Sequence, residues 1–491
     1  MATNLQAIRK VKAKKIAVLR QKNTDPYPET SRREVSVAEV KKRFDELVVS
    51  QKRLWVAGRV MAKREHGGST FATIADGCTS IQVYFKQDVL GVDAYALFLS
   101  CIDVGDFVET SGPFFITRRG EQTQEVYDFA ILSKAVLPLP EKWHGLQDVE
   151  ERYRKRYLDL LMNDEVKQKF MLRSRIVKAL RDFLEGEEFM EVETPILQTI
   201  PGGALAKPFK TRLNALKMDL YLRVAPELYL KELLVGGYEK VYEIGRCFRN
   251  EGMDATHNPD FTTMECYAAY QNCHDFMMLT ERLVRSVIKQ ALPNAHLQVE
   301  RDGAIMDFHS EFPVADFTEL LKRHAGIDYD TSTLAKMVKE AKRLKVAVPK
   351  GADKGKIADA IYKEFVRPKL IQPTFIVNHP IELSPLAKQK KNDPNKAARF
   401  QLIVGGMEVV HGYSELNDPQ EQGERFKVQE KNRKRGDEEA QPTDKDFIEA
   451  LEYGMPPATG LAVGIERFVA LLTGSHAIRE VMLFPTMRPK K

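Results

Sequence analysis

The sequence is poor in cysteine and has no long apolar run. Its five cysteines, Cys78, Cys101, Cys247, Cys266 and Cys273, are scattered and form no Cys-x-x-Cys pair. Disulfide frameworks and cysteine zinc sites need paired or regularly spaced cysteines, so we expect a reduced, intracellular protein without a zinc site. No stretch approaches the ~20 apolar residues of a transmembrane helix, and we expect a cytoplasmic protein without membrane contact.

Acidic residues are absent from the first 24 positions, although the net charge of the whole chain is only +6. The segment carries Arg9, Lys10, Lys12, Lys14, Lys15, Arg20 and Lys22. Three interpretations stay open: a transit peptide, a solvated helix face, and a helix that contacts nucleic-acid phosphates. Arg and Ser do not dominate the segment and it reads as one continuous helix, which disfavours the transit peptide.

Length and periodicity indicate several domains. A chain of 491 residues corresponds to roughly two to four domains. We predict a basic, helical N-terminal region over 1–50, a β-rich domain over 51–145 and a larger α+β domain over 146–491. A Lys-rich, mostly helical segment at about 316–368 reads as an insertion between β-rich blocks of the larger domain.

The region from about 54 to 134 alternates in the manner of β-strands. Five short strands with glycine-containing turns suit a five-stranded β-barrel of the OB type. Barrels of this type often present aromatic and basic side chains to single-stranded nucleic acid. The candidate contacts are Lys63, Arg64, Phe71 and Gln82. Phe71 fits a position in the barrel core equally well.

A helix followed by a strand opens the larger domain. Apolar residues recur at helical spacing and a glycine follows them: Leu172, Ile176, Leu180, Phe183, Leu184 and Gly186. This spacing predicts a helix that ends at the glycine. The stretch "FMEVETP" after it predicts a strand that stops at Pro195.

The stretch "CFRNEGMDATHNPDFTTMECYAAY", residues 247–270, reads as a β-hairpin with many ionisable groups. Side chains alternate between the faces of a strand, so Phe261, Thr263, Glu265 and Tyr267 share one face. Thr262, Met264, Cys266 and Ala268 share the other face, which is suited to packing. Arg249 and Glu251 share a face of the incoming segment, and His257 lies in the loop. A salt-bridged surface hairpin is the alternative, but an aromatic, a carboxylate and a phenol in a row indicate a site.

Three separated stretches resemble motifs 1, 2 and 3 of class II aminoacyl-tRNA synthetases. They are "RSRIVKALRDFLEGEEFMEVETP", "FRNEG…HNPDFTTMECYAAY" and "GLAVGIERFVALLTGSHAIREVMLFP". More narrowly, "IPGGALAKPF", "RVAPELYLKELLVGGYEKVYEIGRCFRNEG", "SPLA" and "GYSELNDPQEQ" resemble class II lysyl-tRNA synthetase, over nearly the whole chain. The resemblance implies an antiparallel sheet flanked by helices, an anticodon-binding OB domain and a homodimer built around motif 1. It also implies that lysine is activated with ATP to lysyl-adenylate and then transferred to tRNA(Lys).

The resemblance implies roles for the nucleotide-binding residues. Arg249 resembles the motif 2 arginine that holds the α-phosphate and the amino-acid carboxylate, and its planar fork suits both anions. Arg467 resembles the motif 3 arginine on the γ-phosphate, and these two arginines are the candidate catalytic residues. His257 resembles the loop residue near the terminal phosphates, Phe261 the ring that stacks on adenine, and Glu251 an adenine contact.

The lysine site is implied in the same way. A buried ammonium must be paired with a carboxylate or it costs several kcal/mol. Glu415 and Tyr267 resemble the partners of the lysine ε-ammonium, and Glu227 with the backbone of Gly203 resembles the α-ammonium site. Further lining is expected from Glu265, which adds negative potential, and from Tyr413, which flanks the aliphatic stem. An aspartate site would need cations instead.

Two positions depart from the family pattern. The family pairs two glutamates that bind Mg²⁺ on ATP; here the second is Glu408, but Gln401 stands at the first. His411 stands where the family has an asparagine that contacts the lysine carboxylate. A Gly-Gly turn pairs Ile403 with Glu408 and puts Gln401 on the same face. His411 has the opposite parity from Glu408, so we expect a β-bulge between 408 and 411, near Gly412.

These departures leave alternatives open. The preferred interpretation is an active lysine–tRNA ligase that uses Mg²⁺ with ATP. The second is a synthetase-derived tRNA-binding or regulatory paralogue with impaired aminoacylation. The third is a class II ligase with another substrate. A milder departure is Glu466, where motif 3 commonly has an aspartate.

Overall fold

The computed structural model describes residues 2–77, 79–140, 148–348 and 352–490, with side chains from residue 5 onward. The chain forms two compact units, Met1–Lys167 and Gln168–Lys491. The domain boundary expected at 145/146 lies outside the described residues, as does Cys78.

The first unit contains seven helices and seven strands among its described residues. Its helices are α1 Ala2–Gln21, α2 Val37–Lys42, α3 Phe44–Ser50, α4 Gln87–Leu90, α5 Val92–Cys101, α6 Val149–Arg154 and α7 Arg156–Met162. Its strands are β1 Leu54–His66, β2 Ser69–Asp76, β3 Thr79–Lys86, β4 Phe107–Gly112, β5 Phe114–Ile116, β6 Gln122–Val126 and β7 Asp128–Ser133.

The strands form one sheet in the order β5-β6-β3-β2-β1-β4-β7, which is not closed into a barrel among the described residues. The prediction of five strands is therefore wrong in number. Pro113 has no N–H for a ladder bond and separates β4 from β5, while Tyr127 separates β6 from β7. The stretches "DFVETSGPFFITRRG" and "EVYDFAILSKAV", each predicted as one strand, are thus divided in two.

The N-terminal helices belong to the core of this unit. Val37 and Val40 of α2 and Phe44 and Leu47 of α3 are buried in one cluster with the inner side chains of the sheet. The basic helix α1 also contacts the rest of this unit through an ion pair, in which Lys15 Nζ lies 2.6 Å from Asp103 Oδ1.

The second unit contains nine helices and fifteen strands in its described part, counting α8, whose first four residues belong to the first unit. The helices are α8 Asp164–Gly186, α9 Glu227–Val235, α10 Cys273–Ala291, α11 Phe317–Ala325, α12 Leu334–Arg343, α13 Lys354–Ile361, α14 Pro419–Lys434, α15 Lys445–Glu452 and α16 Ile465–Leu472. The strands are β8 Met190–Glu191, β9 Leu197–Gln198, β10 Lys210–Leu213, β11 Met218–Leu222, β12 Lys240–Phe248, β13 Asp260–Ala269, β14 Gln298–Arg301, β15 Ala304–Asp307, β16 Val314–Asp316, β17 Thr374–Val377, β18 Gln389–Lys390, β19 Asp393–Ala397, β20 Arg399–Val404, β21 Met407–Ser414 and β22 Ala458–Gly464.

An eight-stranded sheet in the order β16-β17-β20-β21-β22-β13-β12-β8 is the frame of this unit. It is antiparallel except for its two outermost pairs, β16 with β17 and β12 with β8. Apolar side chains of α8, α10 and α16 pack on one face of the sheet in a single buried cluster. The predicted α+β class, an antiparallel sheet flanked by helices, is confirmed. The strand predicted up to Pro195 is shorter than expected, because β8 ends at Glu191 on the sheet edge.

Both predicted hairpins form, and their side chains point to the faces that the alternation predicts. Met264, Cys266 and Ala268 of β13 enter the core, as the alternation predicts. In the β20–β21 hairpin, Ile403 pairs with Glu408, but Leu402 pairs with Val410. The expected bulge therefore lies between Glu408 and Val410. Gly412 is not its position, because it pairs in regular register.

The insertion is helical, as predicted. It contains α11, α12 and α13, then a π-helical turn at Tyr362–Val366 and a 3₁₀ turn at Arg367–Lys369. Its apolar side chains form a cluster of their own that also includes Ile376 of β17 and Ile403 of β20. Across the described residues of both units, no helix is long and apolar enough to cross a membrane.

Candidate active site

Every residue predicted to bind ATP, lysine or magnesium lines one cavity of about 1110 Å³ in the second unit. These residues are Gly203, Glu227, Arg249, Glu251, His257, Phe261, Glu265, Tyr267, Gln401, Glu408, His411, Tyr413, Glu415 and Arg467. They come from α9, β13, β20, β21 and α16 and from loops beside them, so the sheet brings together distant parts of the chain.

One end of the cavity is lined by carboxylates. Glu227, Glu265 and Glu415 are all at most 5% exposed. The Tyr413 hydroxyl donates to Glu227 Oε1 at 2.6 Å, and the Tyr267 hydroxyl donates to Glu265 Oε2 at 3.0 Å. Buried charges need partners, but Glu415 Oε1 has no hydrogen-bond partner among the described residues. This end is built to accept cations.

Burial and mutual repulsion disfavour ionisation at this end. Desolvation, with the neighbouring charge of Glu227, raises the pKa of Glu265 to about 8. Burial also raises the pKa of Glu415, with Glu227 acting in the same direction and the ammonium of Lys231 opposing it. A cationic ligand here would reverse both effects.

Lys231 is a site residue that the sequence prediction missed. Its fully buried ammonium lies 2.5 Å from Glu227 Oε1 and also contacts Glu415 Oε2. Burial acts to lower the pKa of Lys231, but the two carboxylates outweigh it and raise the pKa, so the ammonium stays charged. The signal was the i, i+4 spacing of a Glu and a Lys on α9, a helix that is otherwise largely apolar.

Two glycines let the backbone approach this end closely. Gly203 has a φ of +89°, and a Cβ there would lie 3.0 Å from Glu227 Cβ. A Cβ at Gly460 of β22 would lie 2.2 Å from the Tyr267 ring and 2.7 Å from Glu415 Oε1. The sequence prediction missed Gly460, although a glycine inside a strand often marks such a close approach.

The other end of the cavity is cationic. The Arg249 guanidinium carbon lies 5.0 Å from the Phe261 ring centroid, and Arg249 Nε is buried without a partner in the described part of the chain. Arg467 Nη2 lies 3.2 Å from His257 Nε2. His257 Nδ1 lies 2.9 Å from Asp254 Oδ2, which favours the tautomer that accepts from Arg467. Guanidinium groups so placed suit phosphate and carboxylate groups.

Motif 3 is tied to the neighbouring elements by Glu466. Its Oε1 accepts from Arg173 Nη2 of α8 at 2.8 Å, and its Oε2 accepts from the backbone N–H of Thr262 at 2.9 Å. Glutamate thus serves at this position as an anchor for α8 and β13.

The predicted metal pair lies beside the cationic end. Gln401 Nε2 donates to Glu408 Oε2 at 2.6 Å, and Gln401 Oε1 accepts from His379 Nε2 at 3.0 Å. His411 Nδ1 lies 3.8 Å from Glu408 Oε1. Burial lowers the pKa of His411 to about 4, so its imidazole is neutral at pH 7.

These contacts decide which residue fits a magnesium ion. Mg²⁺ takes oxygen ligands, commonly one or two carboxylates together with substrate phosphates. Glu408 lines the cavity with a carboxylate and fits this role. Gln401 does not fit it, because its amide turns its nitrogen toward Glu408 and its oxygen toward His379. Within the described ranges, no three His, Cys, Asp or Glu side chains are grouped to hold a metal ion.

The candidate nucleic-acid contacts lie in the first unit. Arg64 pairs directly with Phe71 across β1 and β2, and Phe71 pairs with Tyr84 and stacks on it at 4.5 Å. Gln82 shares this face, where its Oε1 accepts from Thr123. Lys63 has the opposite parity, and its ammonium donates to backbone carbonyls at the end of α5.

The sequence of the chain matches known families over nearly all of its length. Residues 148–488 match the family described as tRNA synthetases class II (D, K and N). Residues 54–132 match the OB-fold nucleic acid binding domain, which confirms the predicted type of the first sheet although its strand number differs.

Three relatives show how far the similarity extends. The lysine–tRNA ligase of Pelotomaculum thermopropionicum is 48% identical over 492 residues, covering 99% of this chain and 96% of that protein. The lysine–tRNA ligase of Carboxydothermus hydrogenoformans is 47% identical and covers 99% of both chains. That of Listeria welshimeri is 45% identical and covers 97% of both. The chain belongs to the class II tRNA synthetases of the D, K and N group.

Proposed function

We propose that this protein ligates L-lysine to tRNA(Lys) in two steps, through a lysyl-adenylate. The observation that carries the proposal is the charge of the carboxylate-lined end of the cavity. It holds three buried carboxylates, those of Glu227, Glu265 and Glu415, and one resident ammonium, that of Lys231, which contacts Glu227 and Glu415. With all three ionised, two negative charges remain for the two ammonium groups of a free lysine.

In the proposed first step, the lysine carboxylate attacks the α-phosphorus of ATP. A carboxylate–phosphate bond forms, the bond between the α-phosphorus and the bridging oxygen breaks, and pyrophosphate leaves. The nucleophile is already an anion at neutral pH, so no general base is needed. Arg249 would neutralise the two anions as they meet, and Arg467, held by His257, would bind the terminal phosphate; the catalysis is positional and electrostatic.

In the proposed second step, a ribose hydroxyl of the tRNA attacks the lysyl carbonyl and AMP leaves. The OB-fold unit would bind the anticodon through Arg64, Phe71 and Gln82, which share one face of its sheet. Stacking of an unpaired base on an aromatic ring is tolerant of sequence and is typical of OB-folds.

Magnesium is proposed as the cofactor of the nucleotide. Glu408 would hold it together with the phosphates, and a bound Mg²⁺ would offset negative charge on the pyrophosphate group. Glu251 and Phe261 line the same cavity and are the proposed adenine contacts.

A homodimer built around α8 is also proposed. Exposed apolar side chains on α8, on β8 and at the start of β9 support it: Met171, Met190, Ile196 and Leu197, each between 41% and 52% exposed. The proposed place of action is the cytoplasm, where the tRNA substrate is used. The alternative of an inactive tRNA-binding paralogue is disfavoured, because the lysine–tRNA ligase relatives match over nearly the whole chain.

Lysine-dependent exchange of pyrophosphate into ATP tests the proposal. We expect exchange with lysine and none with aspartate or asparagine. Glu415→Gln should raise the KM for lysine far more than that for ATP, because breaking a buried charge pair costs about 3–5 kcal/mol. Absence of exchange with lysine, or equal effects of Glu415→Gln on both substrates, would contradict the assignment.

A further inference from the structure

Gln401 joins a buried chain of three polar side chains, and no step of the proposed reaction uses Gln401 or His379. His379, Gln401 and Glu408 are linked in series by hydrogen bonds of 3.0 Å and 2.6 Å. Gln401 is 2% exposed and His379 is 1% exposed. Burying polar side chains is costly unless they are hydrogen-bonded. A buried, hydrogen-bonded pair such as Gln401 and His379 therefore calls for a role.

The charge of Glu408 fixes the orientation of the amide. An ionised carboxylate only accepts hydrogen bonds, so the group 2.6 Å from Glu408 Oε2 must be the amide nitrogen. The amide oxygen must then face His379.

His379 completes the orientation. A neutral imidazole has a single N–H. Because His379 Nε2 is 3.0 Å from the Gln401 amide oxygen, which only accepts hydrogen bonds, Nε2 carries this hydrogen. The ring is held against Phe317 of the insertion, with centroids 4.9 Å apart. The insertion therefore helps to fix His379, which orients the Gln401 amide, and the amide in turn orients the Glu408 carboxylate.

We propose that Gln401 is a positioning residue that fixes Glu408, and that one protein carboxylate, not a pair, holds the metal on ATP. The proposal rests on the adenylation activity proposed above. A glutamine here donates a hydrogen bond where a glutamate would repel Glu408. The amide thus satisfies one carboxylate oxygen and leaves the other, Glu408 Oε1, for the cavity.

Counting bound metal ions separates this role from that of a ligand. Mn²⁺ prefers the same oxygen ligands as Mg²⁺, and electron paramagnetic resonance distinguishes free from bound Mn²⁺. We would titrate the full-length protein with Mn²⁺ in the presence of an ATP analogue with a methylene bridge between the α- and β-phosphates. The variants are Gln401→Leu and Gln401→Glu, and the matched control is Gln429→Leu, a buried glutamine of α14 away from the cavity.

We expect the wild type and Gln401→Leu to bind equal numbers of Mn²⁺ ions per site. The dissociation constant of Gln401→Leu should rise about tenfold or more, as is typical when a partner of a metal ligand is lost. His379→Phe should shift it in the same direction, and Gln429→Leu should not. Gln401→Glu should bind one additional ion between its two carboxylates.

Two results would overturn the proposal. One is the loss of an ion in Gln401→Leu, which would make the amide oxygen a ligand. The other is an unchanged ion count in Gln401→Glu. Thermal unfolding would show whether that variant is folded. If it is not, the ion count of Gln401→Leu alone tests whether the amide is a ligand. A wild type that binds Mn²⁺ as expected but shows no lysine-dependent exchange would overturn the proposed function alone.

Discussion

At the scale of single residues, Lys231 stabilises the carboxylate-lined end of the cavity before any ligand binds. It neutralises part of a cluster of carboxylates whose ionisation burial disfavours. It also lies 5.5 Å from the centroid of the Tyr413 ring, where a cation is attracted to the aromatic face. Lys231 is therefore part of the fold as well as of the site.

Lys231→Met should destabilise the protein strongly. Removing one partner of a buried ion pair costs about 3–5 kcal/mol because the other charge is left uncompensated. The loss should be smaller at pH 5 than at pH 8, since the orphaned carboxylates take up protons as the pH falls. Scanning calorimetry at the two pH values measures it. Lys178→Met, which removes an exposed pair with Asp182, is the control and should change little; equal losses in the two variants would contradict the prediction.

Glu265 should make lysine binding depend on pH. Its pKa is raised to about 8, chiefly by burial, so the free protein holds a proton there at pH 7. A bound ammonium favours the ionised form, so lysine binding should release protons at pH 7 and tighten from pH 6 to pH 8. Calorimetric titration in buffers of different ionisation enthalpy measures the release. In Glu265→Gln the release should be smaller; an unchanged value would show that the protons come from other groups.

At the scale of elements, β22 forms the floor of the amino-acid site. Gly460→Ala would bring a methyl group within 2.2 Å of the Tyr267 ring, so the ring must move. Overpacking of this kind costs about 1–3 kcal/mol, and we expect the KM for lysine to rise about tenfold while that for ATP changes little. Gly464→Ala on the same strand is the control, because its nearest contacts would be 3.8 Å or longer. A similar rise in both variants would contradict a local effect.

Strand faces were predictable from sequence, and the interruptions of strands were less so. Alternation placed Phe261, Thr263, Glu265 and Tyr267 on the cavity side of β13 because the side-chain period of a strand is fixed. The number of strands in the first sheet was wrong because Pro113 and Tyr127 each interrupt a predicted strand, and Tyr127 carries no turn signal. The position of the bulge at Val409 depends on packing across the sheet, which a single sequence does not contain.

At the scale of the whole molecule, the proposed activities belong to separate units, so a variant can remove one and keep the other. Phe71→Ala should weaken tRNA binding by about 1–3 kcal/mol and leave lysine-dependent exchange intact, because a stacking surface is lost. Filter binding at fixed salt and the exchange assay measure the two quantities. Lys63→Met is the control from the opposite face, and should leave tRNA affinity unchanged. A parallel fall in exchange would instead make Phe71 a core residue.

The site as a whole was predictable to the extent that ligand chemistry determines it. Its carboxylates and arginines follow from the charges that lysine and ATP carry. Lys231 and His379 were not predicted, because they act on other side chains of the protein and a ligand-based argument does not reach them. The direction of the Gln401 amide likewise depends on its neighbours.

The bulge at Val409 has a consequence for how this chain tolerates insertions and deletions in evolution. Val409 and Val410 both enter the core, so loss of Val409 would leave Glu408 and His411 on the same face. Loss of Gly412 would instead turn Tyr413 and the residues after it to the other face of the sheet, since a shift of one residue inverts a strand. We therefore expect the strand to tolerate the loss of a residue at the bulge but not the loss of one three residues later.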